Sequence, residues 1–461
     1  MVKHITAASK ARLDGLYLFG LGALVFLLFG VTLARISAAS MIDFKILYYY
    51  ARAFLDHGDP YSITDPRHNL VLAADSLFGH AARDQPEICR YIYPPPTFAI
   101  TIPFALFSFP VAAILWTILV GGSLCLASYL LWNYSAVWSP VLAGAIIGFL
   151  LGNSELPLMI GNAAAVAIAC AVLASLCFLT GRRTNLGVLL LAIGLILKPH
   201  DTALVWLFFL LAGGPFRRFA WQTLGVLAVL SLPFLLWTTA IAPRWPHEFL
   251  ANMTFLTAQG GLNDPSPTSS GGHGIGMMVN LQTAISDIWS DPHVYNAVTY
   301  LICGILFLLW CLRTIRTSLS VERAWIGLAV IASLTLLPVY HRQSDALLLL
   351  LSIPACLILF RRGDSAGKWA LILTASSVFF TGELSWVVLL GVIRHLRLPA
   401  SPTYERAIVD IQVFPIPVVL LSTAIFYLWV YYRWQTPSPE VSRTAHSPFA
   451  VATATSESAQ P

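Results

Sequence analysis

The 461-residue chain is 57% hydrophobic and only 11% charged, with a mean hydropathy of +0.74, far from the roughly 25% charge of soluble domains. These figures exclude a soluble globular enzyme and mark a polytopic membrane protein. The net charge of +5 comes from basic residues spread over short loops, without a basic patch and interleaved aromatics, which excludes nucleic acid as a partner.

The first apolar run, GLYLFGLGALVFLLFGVTL (residues 15–33), is long enough to cross a hydrocarbon core of about 30 Å. Its length exceeds the roughly 7–15 residues of a signal-peptide core, so it is expected to be retained as a span. Directly after it comes MIDFKILYYYARAFLDHGDPYS (residues 41–62). Phe44, Leu47, Tyr48, Ala51, Phe54 and Leu55 recur there at three- and four-residue spacing, which predicts a helix with one apolar face lying on the membrane. Asp43 falls at the start of that helix, where backbone N–H groups favour a carboxylate. An ionised acid at head-group depth is a candidate general base; the bland reading is a solvated loop acid. HGDPYS (residues 57–62) ends the helix, with Gly58 suited to the C-cap and Pro60 barring continuation. YIYPPPTFAITIPFALF (residues 91–107) then sets a stiff proline corner before a short apolar helix broken by Pro103. That helix is too short to cross and is expected to be interfacial or re-entrant, with Tyr91 and Tyr93 at interfacial depth.

Further apolar runs near 110–132, 140–152, 163–180, 186–197, 201–213, 219–241, 297–315, 324–340, 345–360, 369–393 and 413–433 predict an all-α bundle of about 11–13 transmembrane helices. The run 369–393 is interrupted by Gly382 and Glu383 and reads as one tilted span or two short ones. Basic residues in the short loops place the N-terminus in the cytoplasm. Two long loops then lie outside together, with KPHD (residues 198–201) and HRQSD (residues 341–345), so the polar chemistry gathers on the extracytoplasmic face. The expected organisation is a cytoplasmic N-terminus and first span (1–36), a first extracytoplasmic loop with interfacial helices (37–109), transmembrane helices (110–241), a second long extracytoplasmic loop (242–296), further spans (297–433) and a disordered tail (434–461).

Of seven cysteines, six lie in apolar runs, and no CxxC or Cys/His spacing suggests zinc or a disulfide framework. Neither a regularly spaced acidic pair nor a GxxxxGK[ST] loop is present, so no metal, cofactor or nucleotide site is expected. Lys198, His341 and Arg342 are candidate cations for an anionic leaving group, with Asp345 placed to orient His341 or Arg342. A lysine at a span end also snorkels without function, and His200 and Asp201 carry less weight. Tyr48, Tyr93, Asn162, His273 and Asp345 are the candidate substrate contacts. His273 lies within the glycine-rich stretch 260–280, which reads either as a cradle for sugar or phosphate or as a flexible lid.

The ordered set of an acid after the first span, DFxxYY, GDPY, YPPP, GN (Gly161–Asn162), a Lys-Pro turn between short spans and a His/Asp loop resembles glycosyltransferase family 87, the polyprenol-phosphate-mannose-dependent mannosyltransferases of the GT-C membrane fold. The similarity covers about residues 10–400. It departs from the family pattern at Asn162, where members often carry Gln, and at Tyr340–His341–Arg342. The resemblance implies an inverting transfer of a mannose-like hexose from a polyprenyl-phosphate sugar to a hydroxyl of a glycan or glycolipid, at the outer face of the plasma membrane, with Asp43 as base. The competing readings are a transporter or lipid flippase, for which Glu155 and Glu383 are the main candidate buried acids, and a non-catalytic assembly factor.

Overall fold

The computed structural model describes residues 2–37, 40–62, 90–267, 278–395 and 414–434; His273 and the tail beyond Trp434 lie outside them. The described residues form an all-α membrane protein with no strand, apart from one isolated bridge between Met278 and Arg342. Among the described residues, seven helices are long and apolar enough to cross a membrane, and Ala164–Thr180, Thr184–Leu197 and Pro199–Ala212 are shorter apolar helices. Several open with proline in the first turn, as in Phe109–Ser135, Pro140–Leu151, Pro292–Arg316 and Pro415–Arg433, where a missing N–H costs nothing.

At the centre stands Gln343–Phe360, a 3-10 helix over Gln343–Ser352 that continues as the α-helix Ile353–Phe360. Its residues are buried from Gln343 to Leu359, consistent with an apolar sequence that has no polar face to give to solvent. The first helix, Val2–Ile36, packs against Pro140–Leu151 through glycines. A Cβ on Gly22 would fall 1.9 Å from the Gly148 carbonyl oxygen, and one on Gly144 2.0 Å from that of Gly15. Such backbone contact is how small residues join helices in a lipid solvent that offers no hydrophobic drive. Gly148→Leu would push a side chain into the Leu18 backbone. We expect it to destabilise the protein by about 3 kcal/mol or more, seen as a lowered Tm in detergent; an unchanged Tm would mean that the two helices do not meet there.

The interrupted run 369–393 is a pair of helices with a sharp break at Gly382. Ser365–Thr381 and Glu383–Leu389 meet at 71°. Asn153 occupies the break: its Nδ2 donates to the Val378 carbonyl and its Oδ1 accepts from the Leu384 N–H, so backbone groups freed by the bend are satisfied inside the protein. Gly382 leaves room for that side chain, since a Cβ there would sit 2.0 Å from the Asn153 amide nitrogen.

The two long loops meet. Asn252, on the helix Trp245–Thr257 of the second loop, donates to the carbonyls of Tyr61 and Tyr91 in the first and accepts from Arg90. A stack of rings, Tyr50 on Tyr91, Tyr91 on Phe98 and Phe98 on Phe54, clamps the short helix Phe98–Ala105 to Ile42–Leu55. The latter ends differently from the expected Gly58 cap. His57 takes the left-handed conformation (φ 57°), while the His57 and Gly58 N–H groups bond back to Phe54 and Ala53; this double bond pattern seals the last carbonyls.

Candidate active site

Asp43 lies in the first turn of Ile42–Leu55. Met41 before it has φ 55°, a left-handed conformation costing a side-chain-bearing residue about 1–2 kcal/mol, and is held by its N–H bond to the Met159 carbonyl. Phe44 stacks on Trp116 at 4.8 Å, and the Trp116 indole donates to the Gly161 carbonyl. Gly161 has φ 70° and leaves no room for a Cβ, which would lie 2.7 Å from that of Phe44. The Gly161–Asn162 pair is thereby pressed onto the helix start. The Ala164 N–H bonds to Asn162 Oδ1 at 2.7 Å, which settles the orientation of the amide. Its Nδ2 donates to Asp43 Oδ2 at 2.6 Å. Burial pushes the Asp43 carboxyl above the usual carboxylate range, against the opposing pull of the Asn162 hydrogen bond and the charges of Arg342 and Lys198. A carboxylate so placed is a stronger base than a solvated one, and remains within reach of two cations.

Those cations come from turns far apart in sequence. Lys198 sits between Thr184–Leu197 and Pro199–Ala212, buried, with its ammonium bonded to Asp345 and 3.7 Å from Asp201. Asp345 also accepts from the Arg342 backbone N–H at 2.9 Å and the Ser344 hydroxyl, so it ties the Lys198 turn to the Arg342 turn. Arg342 donates to the Tyr340 hydroxyl and reaches Leu262 and Asn263 of the second long loop. The same loop pairs with this turn through the Val279 N–H and the His341 carbonyl.

His341 is fully buried, with Nδ1 at 3.0 Å from the Val339 carbonyl and Nε2 at 3.3 Å from Asp201 Oδ1, without a hydrogen bond between them. Tyr93, part-buried, has its phenol pushed up by burial beside the charges of Asp43 and Lys198 and so stays a neutral hydroxyl near both. Tyr48 gives its hydroxyl to the Phe107 carbonyl and packs on Phe109, so it holds the fold together here. The structure thus brings together Asp43, Asn162, Tyr93, Lys198, Arg342 and Asp345, with His341 behind them. Sequence alone undervalues Asp201, which is fully buried; an acid at the head of an apolar run is the available signal. Asn252 and Asn263 offer none.

His200, Asp201, His341 and Asp345 present donor atoms within 4.8 Å of one another. The Lys198 ammonium already supplies positive charge to both carboxylates, so we read the group as an ion-pair cluster and assign it no metal. Beside it runs an apolar groove of about 430 Å³ between the proline corner (Pro94, Pro96), Leu195 and Ile196, and the face of Gly214–Ile241 carrying Leu227, Ala228 and Leu235. Its walls begin one residue from Tyr93 and two from Lys198.

The model of glycosyltransferase family 87 matches residues 91–338, more than half of the chain. The chain belongs to glycosyltransferase family 87. Comparison with curated proteins and with solved structures gave no match. This family 87 protein is therefore a membrane glycosyltransferase, and the matched region contains Asn162, Lys198 and Asp201 but neither Asp43 nor the turn 341–345.

Proposed function

We propose that this glycosyltransferase moves a mannose-like hexose from a polyprenyl-phosphate sugar to a hydroxyl of a glycan or glycolipid, with inversion, on the extracytoplasmic face of the plasma membrane. The observation that carries the reading is the pairing of a desolvated carboxylate, Asp43, with the Lys198 and Arg342 cations beside an apolar groove. An amphiphile with an anionic head fits that combination: its head meets the cations and its chain the groove. In the step itself Asp43 takes the acceptor hydroxyl proton as the acceptor oxygen bonds to the anomeric carbon. The bond from that carbon to the phosphate oxygen breaks, and the lipid phosphate leaves with the electron pair. Fixed positive charge aimed at that oxygen lowers the barrier because it needs no reorganisation as charge develops. The sugar donor is the substrate, and no cofactor enters the scheme.

The transporter or flippase reading would need ionisable groups distributed along a path through the bundle. Here Asp43, Lys198, Asp201, Arg342 and Asp345 gather at one place, which favours the enzyme, while Glu383 accepts from the Glu155 and Leu156 N–H groups at a separate one. The deciding assay is hexose transfer to membrane acceptors, comparing radiolabelled decaprenyl-phosphate mannose with a nucleotide-linked mannose in membranes carrying the protein. Transfer from the lipid donor alone is expected. Transfer from the nucleotide sugar, under conditions that block formation of the lipid-linked one, would overturn the donor class.

A further inference from the structure

We propose that Glu383 is a positioning residue for Asp43, acting through the short helix Leu156–Ile160, which leads into Gly161–Asn162. This rests on the base role given to Asp43 above. Leu156–Ile160 has only five residues, too few to stay helical without partners from the rest of the fold. The N–H groups at its start are all accounted for. Those of Glu155 and Leu156 bond to the Glu383 carboxyl, at 3.3 Å to Oε2 and 3.0 Å to Oε1. Pro157 has none, and those of Leu158 and Met159 bond to the Glu155 carbonyl. A side chain 227 positions from Leu156 therefore closes the start of this helix. The bonds need only acceptor oxygens, which a carboxyl offers whether or not it is ionised. Asn153 ties the same stretch to the break at Gly382: its Oδ1 accepts from the Leu384 N–H and its carbonyl from the Glu383 N–H.

The other end of the helix belongs to the site. The Met159 carbonyl accepts at 2.8 Å from the N–H of Met41, two residues before Asp43, and the Pro157 carbonyl accepts at 2.9 Å from the Asn162 N–H. Gly161 turns the chain at φ 70°, and Asn162 donates to Asp43. Two contacts that place Asp43, the backbone bond at Met41 and the amide of Asn162, thus come from this helix and the turn after it. The helix is about one and a half turns long, too short to absorb a shift, so movement at its Glu383 end is passed to its Asn162 end. The groups acting directly on Asp43 are Asn162, Arg342, Lys198 and Asp345, with Tyr93 beside it; the charged neighbour of Glu383 is Glu155. What links Glu383 to Asp43 is the backbone of residues 155–162.

The test is the pH profile of hexose transfer from decaprenyl-phosphate mannose in membranes carrying wild type, Glu383→Ala, Glu383→Gln, Asn162→Ala or the double variant Glu383→Ala/Asn162→Ala. Glu383→Ala is expected to lower kcat about 10- to 100-fold, the scale on which a small misplacement of a reacting group acts. The donor KM should change little, because Lys198 and Arg342 are held by other turns. The acid limb of kcat/KM should move to higher pH, as in Asn162→Ala, since a loosened amide supports the ionised Asp43 less. Glu383→Gln keeps one acceptor oxygen for two N–H groups and should lie between Glu383→Ala and wild type; it decides the matter if Glu383→Ala does not fold. In the double variant the limb should stay where Asn162→Ala alone puts it, because both substitutions break one chain of contacts. A further shift beyond Asn162→Ala would overturn the proposal by placing the action of Glu383 elsewhere. Unchanged kcat and acid limb in the folded Glu383 variants, even with a lowered Tm, would reduce Glu383 to a structural cap and leave Asp43 as base. An acid limb unmoved by Asn162→Ala would also overturn the proposal, and full transfer by Asp43→Asn would remove the base role with it.

Discussion

Asp43→Asn is expected to reduce hexose transfer by about 10²- to 10⁴-fold, the range that a positioned general base contributes, while leaving the protein folded. The substitution keeps the shape and the acceptor oxygen to which Asn162 donates, so the local packing survives and only the proton acceptor is lost. Because burial raises the Asp43 pKa, its ionised form is disfavoured in the folded protein. The ionised acid therefore opposes folding as pH rises above the unfolded value. Asp43→Asn should consequently leave Tm unchanged or slightly raised, the opposite of what loss of a structural ion pair would give. The same shift fixes the sign of the pH dependence. Transfer requires the carboxylate, so kcat/KM should fall as pH drops through a value above the ordinary 3.8, and Asn162→Ala, by removing a bond to the ionised form, should move this acid limb to higher pH. Full transfer by Asp43→Asn would remove Asp43 from the base role; an acid limb unmoved by Asn162→Ala would mean that the hydrogen bond does not hold the carboxylate.

The membrane architecture is legible in the sequence because apolar runs are read directly against the bilayer thickness. The amphipathic helix after the first span is legible from its period. What sequence cannot supply is pairing across distance: Asp43 meets Asn162 over 119 positions, and Lys198 meets Asp345 over 147. Nothing local in GN or KP marks its partner. The resemblance puts these pieces in order without showing that they touch. Tyr48 shows the converse limit, because a tyrosine at an interface looks alike whether its hydroxyl faces a ligand or, as here, a backbone carbonyl. Asp201 draws little weight from its apolar neighbours in sequence, although that same setting makes an acid costly enough to need a partner. The break near Gly382 is ambiguous in sequence because the feature that fills the bend, Asn153, lies far away in the chain.

Lys198→Met separates a structural lysine from a snorkelling one. A lysine that merely reaches for the interface can be replaced at a cost within about 0.5 kcal/mol, as for most surface positions. Here the ammonium is buried against Asp345 and near Asp201, and its removal strands buried carboxylates. We expect a loss of about 3–5 kcal/mol, read as a lowered Tm in detergent, together with loss of transfer. The double variant Lys198→Met/Asp345→Asn then tells stability from chemistry. The amide that Asp345→Asn introduces carries no charge but can still accept from the Arg342 N–H, so much of the stability should return, with Asp201 left to its contact with His341. Transfer should not return, because the cation that meets the departing phosphate is still missing, a loss of about 10²- to 10³-fold for one electrostatic donor. If the double variant recovers both, Lys198 serves the fold alone and the head-group site must rest on Arg342. If the single variant loses neither, the buried ion pair does not hold this end of the bundle together.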